Sequence, residues 1–237
     1  LWGSQLPDGA LDLGQAMARQ KRVAGLAARL HEAMASQPVS ADDVAVILWT
    51  SGTEAMPKPV PRTHNHWLVS RKLMTEPADL QPGECILSPR LLNTMGGFAG
   101  TVMTWLDRAA RLVLHQPLDL AVLLRQIVEE KPVFTSGPPA LLQQLMADPA
   151  AMQLLADSPL RCISSGSAAL PQEVMQRFKQ DCGIDILNFY GSSEGGSLSA
   201  TPRDMADLGA RARYFARFGA STCVSTLTTA RFVRTRL

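Results

Sequence analysis

The sequence predicts an α/β fold in which a mostly parallel sheet is flanked by helices, and three observations support it. Short apolar segments alternate with longer segments of helical periodicity between about residues 44 and 189. Several of the apolar segments lack polar residues at alternate positions, as expected for strands that are buried on both faces. Small or polar turns follow three of these strands, at positions where an α/β fold binds ligands.

The elements are predicted in order along the chain. Residues 1–40 are a lead-in segment with an amphipathic helix over roughly 16–35, and residues 41–203 form the core. Predicted strands cover 44–49, 85–87, 111–114, 133–135, 160–164 and 184–189. Predicted helices follow Thr63, start near Gly97, cover 118–130, pass through Leu145 and Leu155, and cover 172–181. Right-handed crossovers would bring the turns after residues 49, 164 and 189 to one sheet edge.

The periodicity fades after Pro202, and residues 204–237 are predicted to be an incomplete connector to a further subdomain. Residues 211–218 read as a helix or a connector, and residues 221–230 have strand character. The arginines that crowd this end have two readings, a solvated face or a nucleic-acid surface. No aromatic residues interleave with them as in known nucleic-acid-binding modules, so we expect no nucleic-acid partner.

Composition limits the class of protein. The 237 residues are 46% hydrophobic with a net charge of +2, which is enough apolar material for a sizeable core and too little charge to indicate a partner. No apolar run is long enough to span a bilayer, and no leader-like segment opens the chain. Cys85, Cys162, Cys182 and Cys223 form no C-x-x-C pair. We therefore expect reduced thiols and a cytoplasmic protein.

A polar turn directly after the first predicted strand is the most informative motif. The chain reads Leu-Trp-Thr-Ser-Gly-Thr-Glu-Ala-Met-Pro-Lys over residues 48–58. Backbone N–H groups, hydroxyls and an ammonium group all donate to phosphate oxygens, and this turn supplies them from Thr50, Ser51, Gly52, Thr53 and Lys58. The spacing excludes a Walker loop, because Pro57-Lys58-Pro59 stands where that loop needs Gly-Lys-Ser/Thr.

Two later segments repeat the pattern of a strand followed by a polar or small-residue turn. Residues 160–171 read as a strand, the small residues Ser-Ser-Gly-Ser-Ala-Ala, and a helix opened by Pro171. Residues 185–194 read as a strand that ends in Asn188-Phe189-Tyr190-Gly191-Ser192-Ser193-Glu194. Small side chains let a backbone approach a flat ring closely, and an aromatic face stacks on a base.

Together these three motifs resemble, in order, those of the adenylate-forming superfamily. Residues 51–59 resemble its Ser-Gly-Thr-Thr-Gly-x-Pro-Lys-Gly signature, with matches at Ser51, Gly52, Thr53, Pro57 and Lys58. Residues 164–170 resemble its Gly-Gly-Ala-x-Leu adenine loop, and residues 188–194 its Asn-x-Tyr-Gly-x-Thr-Glu motif with Ser193 in place of Thr. The resemblance covers about residues 41–203. It implies an α/β fold that is part of the large N-terminal domain of an acyl- or aryl-CoA synthetase-like enzyme.

The resemblance implies a role for each matching residue. Gly166, Ser167 and Ala168 would contact adenine with Tyr190 against the ring, and Ser193 would bond the α-phosphate. Thr53 and Glu194 would hold Mg²⁺. Lys58, Thr53 and Glu194 would stabilise the charge that develops during reaction. The remaining nucleotide-binding candidates are the other motif residues, Thr50, Ser51, Gly52, Asn188 and Gly191.

By the same resemblance, the activity would be ATP-dependent activation of a carboxylic acid as an acyl-adenylate. In full-length relatives the acyl group then passes to coenzyme A. The resemblance thus implies an acid-thiol ligase, for example one that acts in fatty acid metabolism. Transfer to the thiol needs the family's carboxy-terminal domain, which does not follow in these 237 residues. We therefore expect weak ATP binding and little turnover from this chain alone.

Two alternatives remain open. Glu54, Ala55 and Pro59 stand where the family usually has Thr, Gly and Gly, so a degenerate, non-catalytic fragment is one of them. The segment 88–97 also lacks the histidine that lines the acyl pocket in many members, and Asn93 is the candidate to replace it. The acyl pocket itself would involve residues near 95–102 and 137–141.

The other alternative is a serine hydrolase. Gly191-Ser192-Ser193-Glu194-Gly195 fits a G-x-S-x-G elbow with Ser193 as nucleophile. A helix should follow such an elbow, and a histidine should follow it in the sequence, yet the last histidine is His115. For the H-x-H pair, His64 and His66, we expect a position on a helix surface or in the core rather than a metal site.

Overall fold

The computed structural model describes residues 25–36, 38–50, 56–195 and 197–215. The chain divides into two units after Ser40. In the first unit, helix α1 covers Leu26–Ser36, and the N–H of Arg29 donates to the Gly25 carbonyl at 3.0 Å. The later part of the predicted lead-in helix is thus confirmed, and its beginning lies outside the described residues.

A six-stranded sheet organises the second unit. Its strands run in the order β4-β3-β5-β6-β7-β8. They are β3 (Cys85–Ser88), β4 (Arg111–Leu114), β5 (Phe134–Gly137), β6 (Cys162–Gly166), β7 (Asp185–Gly191) and β8 (Ser197–Ala200). Neighbouring strands are parallel from β4 through β7, and only β8 is antiparallel, to β7. The predicted mostly parallel sheet is confirmed.

Helices connect these strands and cover the sheet. They are α2 (His64–Ala78), α3 (Met95–Gly97), a π-helical turn (Phe98–Val102), α4 (Met103–Arg108), α5 (Leu120–Glu130), α6 (Pro139–Ala147), α7 (Pro149–Ala156), α8 (Gln172–Cys182) and α9 (Leu208–Arg213). Local sequence explains several ends. The Asp119 carboxylate accepts from the Val122 N–H at 3.0 Å and caps α5. Gly183, with φ of 72°, ends α8 in the left-handed conformation that glycine adopts freely.

The central strands β3, β5 and β6 are buried on both faces, although β5 and β6 include Thr, Ser and Gly. Leu87, Ile163 and Ile186 pack with the main helical cluster, which includes the fully buried Phe178 of α8. Their sequence neighbours Ile86, Cys162 and Leu187 pack into a second cluster. Because successive side chains on a strand point to opposite faces, consecutive apolar residues fill two separate cores.

The first predicted strand is real, but its predicted location is wrong. Strand β1 (Val44–Thr50) pairs antiparallel with β2 (Lys58–Thr63) in a separate two-stranded sheet. Leu48 of β1 is buried together with Val60 of β2 and with Trp67 of α2, whereas Ile47 and Trp49 are 54% and 68% exposed. The apolar sequence of β1 therefore does not reflect burial on both faces in the parallel sheet.

The segment after residue 203 continues into the core. Helix α9 packs beside α8, and the Asn188 side-chain amide of β7 donates to the carbonyl of Arg211 at 2.9 Å. Arg211 is itself buried, and its guanidinium lies 3.4 Å from the Asp185 carboxylate. The predicted strand character at 221–230 lies outside the described residues.

Two further features concern the described part of the chain alone. None of its helices combines the length and the apolar character that crossing a membrane would require. Cys85 and Cys162 are buried free thiols and Cys182 is a half-buried one, while Cys223 lies outside the described residues. Burial raises the pKa of Cys162 to about 12, so this thiol stays protonated in the folded protein.

Candidate nucleotide-binding site

Two of the three predicted motifs meet at the carboxyl edge of the parallel sheet. Gly166 at the end of β6 is paired with Phe189 of β7. The next residues of the two strands, Ser167 and Tyr190, therefore emerge side by side at one edge. Ligands bind outside the carboxyl ends of strands in folds of this class, so the edge is the expected position for a nucleotide cleft.

Gly166 is required by the close approach of β7. A Cβ atom placed on Gly166 would lie 2.3 Å from the Phe189 carbonyl oxygen and 3.2 Å from its carbonyl carbon. Both atoms belong to backbone, which cannot move aside as a flexible side chain can. The absence of a side chain here keeps the two strand ends close together.

The turn after Gly166 is exposed to solvent rather than packed in the core. Ser167 and Ala168 are both exposed, and Ser167 has a φ of 76°. A left-handed backbone is uncommon for residues other than glycine and costs roughly 1–2 kcal/mol. The predicted adenine loop therefore holds an exposed, strained serine at its tip.

Tyr190 presents its ring at the same edge. The side chain is 53% exposed although it follows the fully packed part of β7. Its ring centroid lies 6.1 Å from that of Phe215, with the two ring planes tilted by 53°. An exposed aromatic face next to a closely packed glycine is a suitable platform for stacking a purine base.

Asn188 has a different environment from these two residues. It is buried, and its amide nitrogen donates to the carbonyls of Arg211 and Ala212. The amide nitrogen is thus already bonded to protein, and it fixes α9 against β7; the predicted contact of Asn188 with nucleotide stays a prediction. Gly191 ends β7 and is exposed.

A turn over residues 192–195 follows β7 and carries Ser193 and Glu194. The Ser192 hydroxyl donates to the Gly195 carbonyl at 2.8 Å and accepts from its N–H at 3.3 Å, which closes the turn. Ser193 is half-buried and Glu194 is exposed. The turn leads into strand β8 rather than into a helix, which counts against a hydrolase elbow at Ser193.

The structure describes both ends of the first motif. Thr50 ends β1 and is paired in register with Lys58, the first residue of β2. Lys58 is exposed, and the Thr50 hydroxyl is buried without a hydrogen-bond partner among the described residues. The residues between them that were predicted to bind phosphate or Mg²⁺ lie outside the described residues: Ser51, Gly52 and Thr53.

Arg62 of the hairpin is influenced electrostatically by the turn after β7, a relation that sequence reasoning missed. This β2 residue is 7% exposed, and its Nε has no hydrogen-bond partner among the described residues. Burial lowers the pKa of Arg62, while the negative charge of Glu194 acts in the opposite direction. The hairpin thus lies within electrostatic reach of Glu194, although it is not part of the parallel sheet. Arg62 stands only four residues after Lys58, but no sequence rule pairs it with Glu194.

The described residues fit a Mg²⁺ ion that is held jointly by the protein and by bound phosphates, but not one that is held by protein side chains alone. Among them, no group of three or more His, Cys, Asp or Glu side chains is placed to hold a metal. Mg²⁺ commonly binds through one or two carboxylates together with substrate phosphates and water. The single exposed carboxylate of Glu194 is compatible with that arrangement.

The H-x-H pair shapes the start of α2. The Thr63 N–H donates to Nδ1 of His66 at 3.1 Å, and the His66 N–H donates to the Thr63 hydroxyl at 3.3 Å. This reciprocal pair satisfies two N–H groups at a helix start, as a capping box does. His66 therefore supports the helix that follows the hairpin.

Comparison with known proteins agrees with this geometry. The chain is 29% identical over 195 residues to 4-hydroxybenzoate–CoA/benzoate–CoA ligase of Rhodopseudomonas palustris, covering 80% of this chain and 35% of the relative. It is 27% identical over 158 residues to feruloyl-CoA synthase of an Amycolatopsis species, covering 66% and 32%. The chain spans about a third of the length of such curated relatives.

Solved structures share the fold. An acyl-CoA synthetase of Brucella canis superposes with a TM-score of 0.67 at 21% identity, over 84% of this chain and 35% of that one. The family model for AMP-binding enzymes matches residues 6–223, which is most of the sequence. The chain therefore belongs to the family of AMP-binding enzymes.

Proposed function

We propose that this chain forms the nucleotide-binding part of an enzyme that uses ATP to activate a carboxylic acid as an acyl-adenylate. The observation that carries the proposal is the sheet edge formed by Gly166 and Tyr190. Gly166 lies against the β7 backbone without room for a side chain, and Tyr190 leaves about half of its surface exposed beside it. A flat purine base is the ligand class that such an edge accommodates.

Polar groups of the β1–β2 hairpin and of the turn after β7 support an acid-activating reaction rather than nucleotide binding alone. Lys58 opens β2, Glu194 follows β7, and the buried cation Arg62 lies within electrostatic reach of Glu194. The proposal gives Lys58 and Thr53 to the phosphates, Ser193 to the α-phosphate, and Glu194 to Mg²⁺. Positioned donors and a divalent cation offset the charge that develops on the transferring phosphate.

The acyl acceptor in the proposal is coenzyme A. Relatives with 27–29% identity are named as CoA ligases or synthases for aromatic acids. Others are named long-chain and medium-chain fatty-acid–CoA ligases, which supports a carboxylic acid substrate in general and keeps fatty acids among the candidates. Free thiols at Cys85, Cys162 and Cys182 support a reducing compartment such as the cytoplasm.

Calorimetric titration of ATP, with and without Mg²⁺, tests the nucleotide part. We expect binding that Mg²⁺ strengthens in the wild type and that Mg²⁺ no longer strengthens in Glu194→Gln. Glu173→Gln is the matched control, because Glu173 is an exposed carboxylate in the first turn of α8. Equal Mg²⁺ dependence in all three proteins would contradict the role of Glu194.

Pyrophosphate exchange with a panel of carboxylic acids tests the chemical part. Acid-dependent exchange would support adenylate formation. We expect the chain alone to show weak exchange with at least one acid. ATP binding with no detectable exchange for any acid would favour the non-catalytic reading, for which the substitutions at Glu54, Ala55 and Pro59 are the specific observation. ATP binding and pyrophosphate exchange should be measured on one preparation. A preparation that binds ATP without exchange is then distinguished from one that does not bind ATP at all.

A further inference from the structure

Arg90 lies at the carboxyl edge of the sheet, between two segments predicted to line the acyl pocket. It follows β3 by two residues, and its Nε donates to the Ser136 hydroxyl of β5 at 3.0 Å. Its Nη1 lies 3.2 Å from the position that a Cβ atom on Gly96 would take. The guanidinium is thus held between the 95–102 segment and the end of β5, where the 137–141 segment begins.

The charge of Arg90 is not neutralised by any described residue. Arg211 lies 3.4 Å from Asp185, and the negative charge of Glu194 acts on Arg62, but Arg90 forms no ion pair in the described part of the chain. Burial alone lowers the pKa of Arg90, and no carboxylate acts against it. Cations that are partly removed from water are normally paired with an anion, because an unpaired charge is costly there.

The unused donors of Arg90 are accessible. Nε is bonded to Ser136, while the Nη atoms have no hydrogen-bond partner among the described residues and are not sealed from solvent. A guanidinium presents its donors in a planar fork that matches the two oxygens of a carboxylate. The site therefore offers bidentate binding to a small anionic group that approaches from this edge of the sheet.

We propose that Arg90 binds a second carboxylate of the substrate, at the end remote from the carboxylate that is activated. The substrate class is then a dicarboxylic acid, a refinement that rests on the function proposed above. Arg90 follows β3, and the turn with Ser193, which the proposed function gives to the α-phosphate, follows β7 on the same carboxyl side of the sheet. An acid with a carboxylate at each end places one carboxylate at the α-phosphate and directs the other towards Arg90.

The same arrangement discriminates against monocarboxylic acids. An apolar acyl tail would take water away from the Arg90 guanidinium without offering a hydrogen-bond acceptor. Specificity of this kind arises from the penalty on the wrong ligand as well as from attraction to the right one. Arg90 is thus inferred to be a specificity-determining residue rather than a catalytic one.

Calorimetric titration of adipate and hexanoate, matched acids with and without the second carboxylate, tests this inference. The full 237-residue chain is used with Mg²⁺ and AMP present. We expect the wild type to prefer adipate by about tenfold or more, as for a charged hydrogen-bonded pair, and Arg90→Gln to show almost no preference. Arg177→Gln, which removes an exposed arginine of α8, keeps the wild-type preference.

Arg90→Lys provides the second variant if Arg90→Gln does not fold. It retains the charge without the planar fork, so the adipate preference should fall but persist. Equal affinity of the wild type for both acids, or an unchanged preference in Arg90→Gln, would overturn the inference. AMP titration in the same proteins reports the nucleotide site separately. Adipate preference without nucleotide binding would support Arg90 and contradict the proposed function.

Discussion

At the scale of single residues, Gly166 is the position where the structure permits the fewest alternatives. Replacing it with alanine places a Cβ atom 2.3 Å from the Phe189 carbonyl oxygen, and the strand ends must separate. We expect Gly166→Ala to lower the free energy of unfolding by about 2–3 kcal/mol, the usual range for overpacking, in urea denaturation.

Gly183→Ala is the control for the Gly166 substitution. Gly183 has a φ of 72° but nothing within 4 Å of a Cβ position, so alanine there adds backbone strain without a steric clash. Its cost should be about 1 kcal/mol. A Gly166→Ala cost at or below that of Gly183→Ala would show that the approach of β7 is not tight.

Ser167 offers a prediction of the opposite sign. Its φ of 76° is strained for serine and free for glycine, so Ser167→Gly should raise the free energy of unfolding by up to about 1 kcal/mol. Ala168→Gly, one position further along the same exposed turn, should instead lower it by about 0.4–1 kcal/mol through the entropy of the unfolded chain. Parallel urea titrations decide it, and a loss of stability in Ser167→Gly would contradict the strain argument.

The site residues differ in how far the sequence could predict them. Gly166 and Tyr190 follow apolar strands within recognisable turns, and parallel strands bring such turns to one edge, so their proximity was predictable. Arg62 and Arg90 were not predictable, because their significance depends on which carboxylates lie nearby in space. Asn188 fits the motif, yet its amide bonds the backbone of α9, which no local pattern indicates.

At the scale of elements, the alternation of apolar and helical segments predicted strands β3 to β7 and the helices between them. It also predicted that β1 belongs to the parallel sheet, and this was wrong. Its sequence Val-Ala-Val-Ile-Leu-Trp has no polar alternation and so resembles a strand of a parallel sheet. Most of its side chains are nevertheless exposed, and antiparallel pairing with β2 over the short 51–57 connection places it outside the main sheet. Strand β2 was not predicted, because it includes Pro59 and Pro61 and proline within sheets is confined to edge strands, strand starts and bulges.

An ion pair at the opposite edge of the sheet predicts a pH dependence. Arg161, just before β6, donates to both carboxylate oxygens of Glu84, just before β3, at 2.6 and 2.8 Å. The hydrogen bond from Arg161 lowers the pKa of Glu84 below its usual 4.5. Because the folded-state pKa is depressed, the stabilisation is present above pH 4.5 and is lost as pH falls through the folded-state value.

Urea denaturation between pH 3 and pH 7 measures this contribution. The Arg161 side chain is 45% exposed, so solvent screening limits the pair to roughly 0.5–1 kcal/mol. Glu84→Gln should therefore lose about that much free energy of unfolding at pH 7 and nothing at the acidic end. Identical pH profiles for the wild type and Glu84→Gln would rule the pair out as a source of acid sensitivity.

At the scale of the whole molecule, the two-sided sheet core makes thiol reactivity a report on global unfolding. Cys162 is 5% exposed in the centre of the sheet, and burial raises its pKa to about 12. Alkylation of Cys162 at pH 8 should then be negligible in the folded protein and should increase in denaturant with the unfolded fraction, followed by peptide mass spectrometry. Rapid labelling without denaturant would show that the sheet opens locally.

Family membership concerns most of the sequence, whereas the geometry of the site concerns one edge of the sheet. The match to AMP-binding enzymes covers residues 6–223, while the chain spans about a third of the length of curated CoA ligases. The sheet edge at Gly166 and Tyr190 needs only the described part of the chain. The central claim is therefore that this edge binds the adenine nucleotide.

Thermal unfolding with and without Mg-ATP tests that claim most directly. Nucleotide that binds only the folded state at about a hundred times its Kd adds roughly 2.7 kcal/mol of stability. We predict a clear rise in Tm for the wild type and for Arg177→Gln, and a much smaller rise for Tyr190→Ala, which removes the stacking face. No rise in the wild type, or an equal rise in Tyr190→Ala, would contradict the assignment of the nucleotide site to this edge.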